Sequence, residues 1–388
     1  MPHQPVLLVD GHLDLAFNAL YHRRDLTLPV HSLREREDPV RSGISDHPDS
    51  LERRQGPEGG HYTATVSLPA LRQGRVGIVL STVMARVQVA TPRLDNAMRT
   101  QVAAYAEAMA HLHYYEALER QGELAIIRSL ADLEACVLAW DNPDEHTPVG
   151  LIVTAEGADP ILDPDQVRLW WERGLRSVSL THFGANTYGH GTGTRGGLYP
   201  PAYPLLDALA DVGMVLDLSH ASDLSFRQLL EYWDGPVHAS HANCRALLRG
   251  QRHLSDEMIQ ALAQRQGVIG MVFAEQMLSP AWDFDQRDGN YATATRPMMA
   301  VVDHIDHICQ LLGNARHVAL GTDLDGGYGR ELAPIDYDTS ADLQRVPELL
   351  RRRGYGEDDV HAICHGNLLG LFRRAWSGSA AADSPRRA

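Results

Sequence analysis

Eight short runs rich in Val, Ile and Leu recur along this 388-residue chain, and most of them are followed within two residues by an aspartate, glutamate or histidine. They lie near residues 6–10, 77–83, 149–155, 176–181, 214–219, 236–240, 267–273 and 317–322. Unbroken apolar runs of this length fit strands buried on both faces, which need not alternate. Most are separated by helical patterns, at 96–120, 164–173, 202–212, 223–233, 255–265 and 298–312, with Ser255 placed to cap the fifth. Eight strands alternating with helices predict an α/β fold, a (β/α)8 TIM-type barrel with the architecture of a metal-dependent hydrolase. In such a barrel the strand ends converge on one rim, so that His12, Asp14, Glu156, His182, His220, His241, Asp323 and Asp325 become neighbours.

The expected organisation is one barrel domain over 1–376, with a polar excursion across the rim at 22–65, two closing helices at 340–352 and 357–374, and a frayed tail at 377–388. The run LAIIRSL at 124–130 reads as a ninth, peripheral strand. All 35 basic residues are arginine, which excludes Schiff-base chemistry, a phosphate-loop lysine and a carboxylated lysine bridging two metals. A formal charge of -15 disfavours nucleic acid and anionic membrane surfaces as partners. Cys136, Cys244, Cys309 and Cys364 show no CxxC spacing and read as buried thiols. With neither a basic leader nor a run of about 18 to 20 apolar residues, the expected location is cytoplasmic. A homodimer is left open.

His12 and Asp14 stand two apart at the end of an extended run, and the two-residue period of a strand turns both the same way, as chelation of one ion requires. His220 and His241 each end a run after a serine and offer two imidazoles to a second ion. Glu156, after LIVTA, is the best-placed carboxylate to bridge the two in a chain without lysine. Imidazole and carboxylate suit zinc. His182 belongs to neither set and reads as a donor to substrate or as a loop histidine. Asp323 reads as a structural carboxylate, a metal ligand or a proton carrier. Arg252 in GQRHLSD would ordinarily be a surface arginine. The glycine-rich GHGTGTRGG at 189–197 lacks the GK[ST] of a phosphate loop and reads as a mobile rim loop.

The series DGHLDL, TAEGAD, LTHFGANT, LDLSHAS, ASHANCRAL, QRHL and HVALGTDLDGG resembles the membrane dipeptidase (renal dipeptidase) family of zinc peptidases over nearly the whole chain. The resemblance implies a distorted (β/α)8 barrel with two zinc ions. It assigns His12 and Asp14 to one ion, His220 and His241 to the other, Glu156 as the bridge, His182 and Arg252 to substrate binding, and Asp323 to acid-base work. Four features depart from the family: Leu13 where asparagine is usual, His253 after Arg252, the segment VFAEQMLSPAW, and the extended GHGTGTRGG loop. All spare the metal ligands and bear on substrate specificity.

The implied reaction is hydrolysis of a dipeptide by a hydroxide shared between the two ions, with Asp323 and Glu156 as catalytic residues. In it the oxyanion is stabilised by a zinc and His182, the proton is moved by Asp323, and the substrate carboxylate is gripped by Arg252. The rival readings are another metal-dependent amidohydrolase, acting on a lactone, cyclic amide or phosphotriester, and a catalytically silent zinc-binding barrel.

Overall fold

The computed structural model describes residues 5–41, 63–87, 97–279 and 294–377. Each apolar run folds as a parallel strand: β1 (Leu8–Leu13), β2 (Val76–Val83), β4 (Val149–Ala155), β5 (Leu175–Ser179), β6 (Val215–Asp217), β7 (Val237–Ala239), β8 (Val268–Met271) and β9 (Val318–Leu320). The run at 124–130 contributes β3 (Leu124–Ile126), a ninth strand. The sheet runs β2-β1-β9-β8-β7-β6-β5-β4-β3, and the further pairing of β2 with β4, from Ile78 and Gly150 to Val83 and Ala155, closes eight strands into a barrel. β3 stays outside this ring. It pairs with β4 at Val149–Leu151, whereas β5 takes Val153–Ala155, so two strands share successive halves of one strand's edge.

β1 runs further than the sequence predicts, to Leu13 rather than residue 10, because Leu13 pairs with Ser81 after a register shift that passes His12. His12 thus lies inside the strand, and Asp14 stands just before the helix Leu15–Leu20, its side chain accepting from Thr82 rather than capping the helix. Two helices absent from the sequence reading, Leu68–Gln73 and Leu130–Ala139, start at Ser67 and Ser129, whose side chains accept from the backbone N–H three residues on. Ser255 does the same for Met258 at the start of Asp256–Gln264, as expected.

Of the predicted rim excursion, 42–62 lie outside the described residues, as do 378–388 of the predicted tail. The described part of the excursion is stitched to the barrel. Arg24 donates to Glu37 at 2.7 Å and to Asp325 at 3.2 Å, and Asp325 also accepts from the Thr65 and Val66 backbone N–H groups. Inside the barrel the Ser240 carbonyl oxygen lies so close to Gly270 and Gly321 that a Cβ on either would meet it at 1.9 Å. Glycine at these two positions is what lets the backbone just after β7 pack against β8 and the end of β9. Among the described residues, no helix is long and apolar enough to cross a membrane.

Candidate metal centre

The strand ends deliver their polar side chains to one buried cluster around Glu156. Its Oε1 lies 3.6 Å from His12 Nε2, 3.4 Å from His182 Nε2, 3.2 Å from His220 Nε2 and 3.3 Å from His241 Nε2. His12 Nε2 is also 3.8 Å from Asp14 and 3.9 Å from Asp323. Three overlapping donor groups result: His12, Glu156 and His241; Glu156, His182 and His220; and His12, Asp14 and Asp323. Two of the residues sit on strained backbone, His220 at φ 61° and Asp323 at φ 59°. A left-handed conformation in a residue with a Cβ costs on the order of 1 to 3 kcal/mol and persists only where the surroundings enforce it.

What each histidine can do follows from the partner of its far nitrogen. Asp217 accepts from Ser219 N at 2.9 Å, Ser240 N at 3.0 Å and the Ser240 hydroxyl at 2.5 Å. Burial raises this carboxyl, but neighbouring His238 and His241, with the donors from Ser240 and Ser219, bring it down to about 2. It is ionised and can only accept. The single Ser240 proton is therefore spent on Asp217, and Ser240 Oγ must accept from His241 Nδ1 at 2.8 Å and His12 Nδ1 at 3.3 Å. Both rings then carry their proton on Nδ1 and turn an Nε2 lone pair to the cluster. His220 is set the same way: its Nδ1 lies 3.1 Å from Thr192 Oγ1, whose own proton goes to the His220 carbonyl at 3.3 Å.

His182 is set in the opposite sense. Its Nδ1 lies 2.6 Å from Arg86 Nη1, and a guanidinium only donates. The neutral ring therefore bears its proton on Nε2, and the cluster holds three imidazoles that present lone pairs and one that presents an N–H. This separates His182 from the metal-ligand role that proximity alone would allow it.

The three lone pairs need a cation. His220 Nε2 and His241 Nε2 are 3.0 Å apart, and His12 Nε2 is buried without a hydrogen-bond partner among the described residues. Burial holds all three imidazoles below their ordinary pKa, helped by Arg252 and His182 at His220 and by His12 and Arg252 at His241. Glu156 is raised by burial but held well below its ordinary value by the neighbouring His182 and His12 and by the hydrogen bond that His182 Nε2–H gives it. Asp14, pushed up to about 8 by burial and by Glu156 against the opposing Thr82 and Arg86, lacks the positive charge that would ionise it. Two divalent ions would satisfy this donor set: imidazole nitrogens and carboxylates, buried, with their outer nitrogens already hydrogen-bonded.

Arg252 is buried, contrary to the ordinary reading of a surface arginine. Its Nη1 donates to the His241 carbonyl at 2.9 Å, and its Nη2 is buried with no hydrogen-bond partner among the described residues. An unmet guanidinium nitrogen is costly and fits an anion bound beside the cluster. The GHGTGTRGG segment departs from the mobile loop expected of it. Thr192 N donates to the His182 carbonyl at 3.0 Å, and a Cβ on Gly191 would meet that carbonyl at 1.7 Å, so the loop is clamped against two residues of the cluster. Asp217, Ser240, Thr192 and Arg86 were all missed by the sequence reading; only the serine before each histidine, in DLSH and ASH, was a usable signal.

The sequence profile of the membrane dipeptidase family, peptidase family M19, matches residues 3–385. Dipeptidase aclJ of Aspergillus oryzae is 30% identical over 58% of this chain and 51% of its own length. Dipeptidase 3 of Rattus norvegicus is 28% identical over 54% of this chain and 41% of its own. The chain thus spans about half the length of these relatives. A metallopeptidase from Rhodobacter sphaeroides, solved with a phosphinate mimic of the dipeptide L-Ala-D-Ala, superposes with a TM-score of 0.73 at 22% identity, covering 96% of this chain and 100% of that one, and so shares its fold.

Proposed function

As the chain belongs to the membrane dipeptidase family, we propose that it is a zinc-dependent dipeptidase in which His12 and Asp14 would hold one ion, His220 and His241 a second, and Glu156 would serve both. The observation that carries this reading is the division of the four histidines, three presenting Nε2 lone pairs and His182 presenting an N–H. When bound, two zinc ions would supply Lewis acidity, lowering the pKa of water and polarising the scissile carbonyl.

The remaining work falls to the chain. His182 donates its Nε2 proton to the oxygen on which charge builds as the carbonyl carbon becomes tetrahedral, and Arg86 keeps that proton in place. Asp323 takes the proton of the attacking water and delivers it to the leaving amine. Arg252 pairs its buried Nη2 with the free carboxylate of the substrate, which favours dipeptides over longer chains.

The test compares a dipeptide with its C-terminal amide in zinc-loaded protein, with and without chelator. The dipeptide should be cleaved, chelator should abolish cleavage, and the amide should be a poor substrate. Arg252→Met should weaken kcat/KM for the dipeptide by about 2 to 5 kcal/mol and change the amide little. Equal losses on both substrates, with zinc content intact, would remove Arg252 from substrate binding and favour a general amidohydrolase.

A further inference from the structure

A cavity of about 180 Å³ lies on the same rim, walled by Phe17, Tyr21, Met84 and Met98, with Arg86 and Glu107 also lining it. Phe17 and Tyr21 follow the end of β1, and Met84 and Arg86 follow the end of β2. The cavity adjoins the metal centre through one side chain. Arg86 lines it and donates to His182 Nδ1 at 2.6 Å. Arg252 belongs to the loop after β7, which stands four strands from β2 in the eight-strand ring, across the barrel.

A dipeptide has two ends, and this layout separates them. With the carboxylate held at Arg252 and the peptide carbonyl at His182, the residue that extends beyond His182, away from Arg252, is the amino-terminal one. We infer that the cavity between the β1 and β2 loops receives the side chain of the dipeptide's amino-terminal residue and selects a long or aromatic apolar one, such as Met, Leu or Phe. The inference rests on the dipeptidase reading above and adds to it the class of substrate.

The walls supply the selectivity. Phe17 and Tyr21 stack with ring centroids 4.9 Å apart and an interplanar angle of 11°, and together they present a broad apolar surface. Two methionines beside them adapt to different apolar shapes, because a thioether side chain has several low-energy rotamers and a polarisable sulfur. The two charged linings already have partners on the protein. Arg86 is bonded to His182, and Glu107 lies 3.7 Å from His111 Nε2. A charged substrate side chain would lose water here and have to compete for these groups.

The test is a matrix of kcat/KM values on zinc-loaded protein, with Gly, Ala, Leu, Met, Phe, Glu or Lys placed first before a constant alanine, and the same residues placed second after a constant alanine. Leu, Met and Phe in first position should exceed Gly by about 10- to 100-fold, the range expected when a side chain of that size leaves water. The second-position series should show no matching preference. Met84→Trp should fill the cavity and lower the ratio of Leu-Ala to Gly-Ala at least tenfold; if that variant does not fold, the more exposed Met98→Trp serves. A flat first-position series, a preference for Glu or Lys there, or an unchanged ratio in a folded, zinc-replete variant overturns the assignment while leaving the dipeptidase reading in place. Failure to cleave any dipeptide would instead overturn the dipeptidase reading and the inference with it.

Discussion

Asp217→Asn changes one oxygen for an NH2 group and should reverse a chain of hydrogen bonds that ends at the metal centre. In the native arrangement Asp217 Oδ2 accepts the Ser240 proton, and Ser240 Oγ in turn accepts from the Nδ1 atoms of His12 and His241. The asparagine would keep its Oδ1 on the Ser219 and Ser240 N–H groups, which lie at 2.9 and 3.0 Å, and so would turn its amide nitrogen to Ser240 Oγ. Two donors cannot face each other. Ser240 must turn its proton onto His241, His12 or Ser219 Oγ, which lies 3.2 Å away, and a ring that receives it must carry its own proton on Nε2, where a metal ligand needs a lone pair. Only one ring can be reversed, since the serine has one proton. Loss of an outer hydrogen-bond partner of a ligating histidine typically costs about 10- to 100-fold in metal affinity, or about 1.4 to 2.8 kcal/mol. The assay is zinc binding measured in competition with a chromogenic chelator at neutral pH, with thermal unfolding of the metal-free protein as a check on folding. One site should weaken by that factor. Ser240→Ala removes the Nδ1 acceptor from both His12 and His241 and should weaken both sites, whereas Asp217→Asn should weaken one. Affinity of Asp217→Asn within threefold of wild type at both sites would refute the tautomer argument and leave Asp217 a structural group.

Asp323→Asn retains the shape of the side chain and removes the base, so kcat should fall by about 10² to 10⁴ with zinc content near wild type; because Asp323 lies 3.9 Å from His12 Nε2, loss of zinc along with activity would make it a ligand instead. Acid should destabilise the metal-free protein in part through His304, which burial pushes down to about 4 and whose Nδ1 accepts the Cys244 N–H at 3.1 Å. Its folded pKa lies below the ordinary 6.5, so its contribution is complete above pH 6.5 and is lost as pH falls toward 4, to a limit of about 3 kcal/mol. Urea unfolding at pH 7.5 and 4.5 should show His304→Asn losing about 2 to 3 kcal/mol less than wild type between the two pH values, and equal losses would exclude His304 as the titrating group.

The strands were legible because a strand of a parallel barrel is buried on both faces and must be apolar throughout, so that runs such as LIVTA and HVAL stand out without any alternation. The residues at their ends were legible for the complementary reason: Glu156 and His220 interrupt apolar sequence at the point where a strand meets the rim. Helices such as Leu68–Gln73 were lost because six residues carry too little periodicity, and their signal was the capping serine rather than the helix itself. The outer partners of the site were hidden for another reason. Asp217 lies within a strand, Thr192 in a glycine-rich loop and Arg86 beyond the end of β2, and each matters only through a ring that folding brings beside it. Hydrogen-bond direction is a property of pairs distant in sequence, and no local pattern records it.

The closure of β1 against β9 sets a timetable for making the protein. Asp10 in β1 accepts from Thr322 N at 2.8 Å and from the Thr322 hydroxyl at 2.6 Å, just before Asp323 turns into the cluster with His12 and Asp14. Some 300 residues separate these partners, which is roughly 15 to 60 s of synthesis at about 5 to 20 residues per second. For most of that interval β1 waits while its later neighbour has not yet been translated. The rim around His12 and Asp14 therefore cannot close fully until the chain is nearly complete. The nascent chain carries an open apolar edge until its final strand arrives, and in the cell that edge is where aggregation or a chaperone would compete with folding.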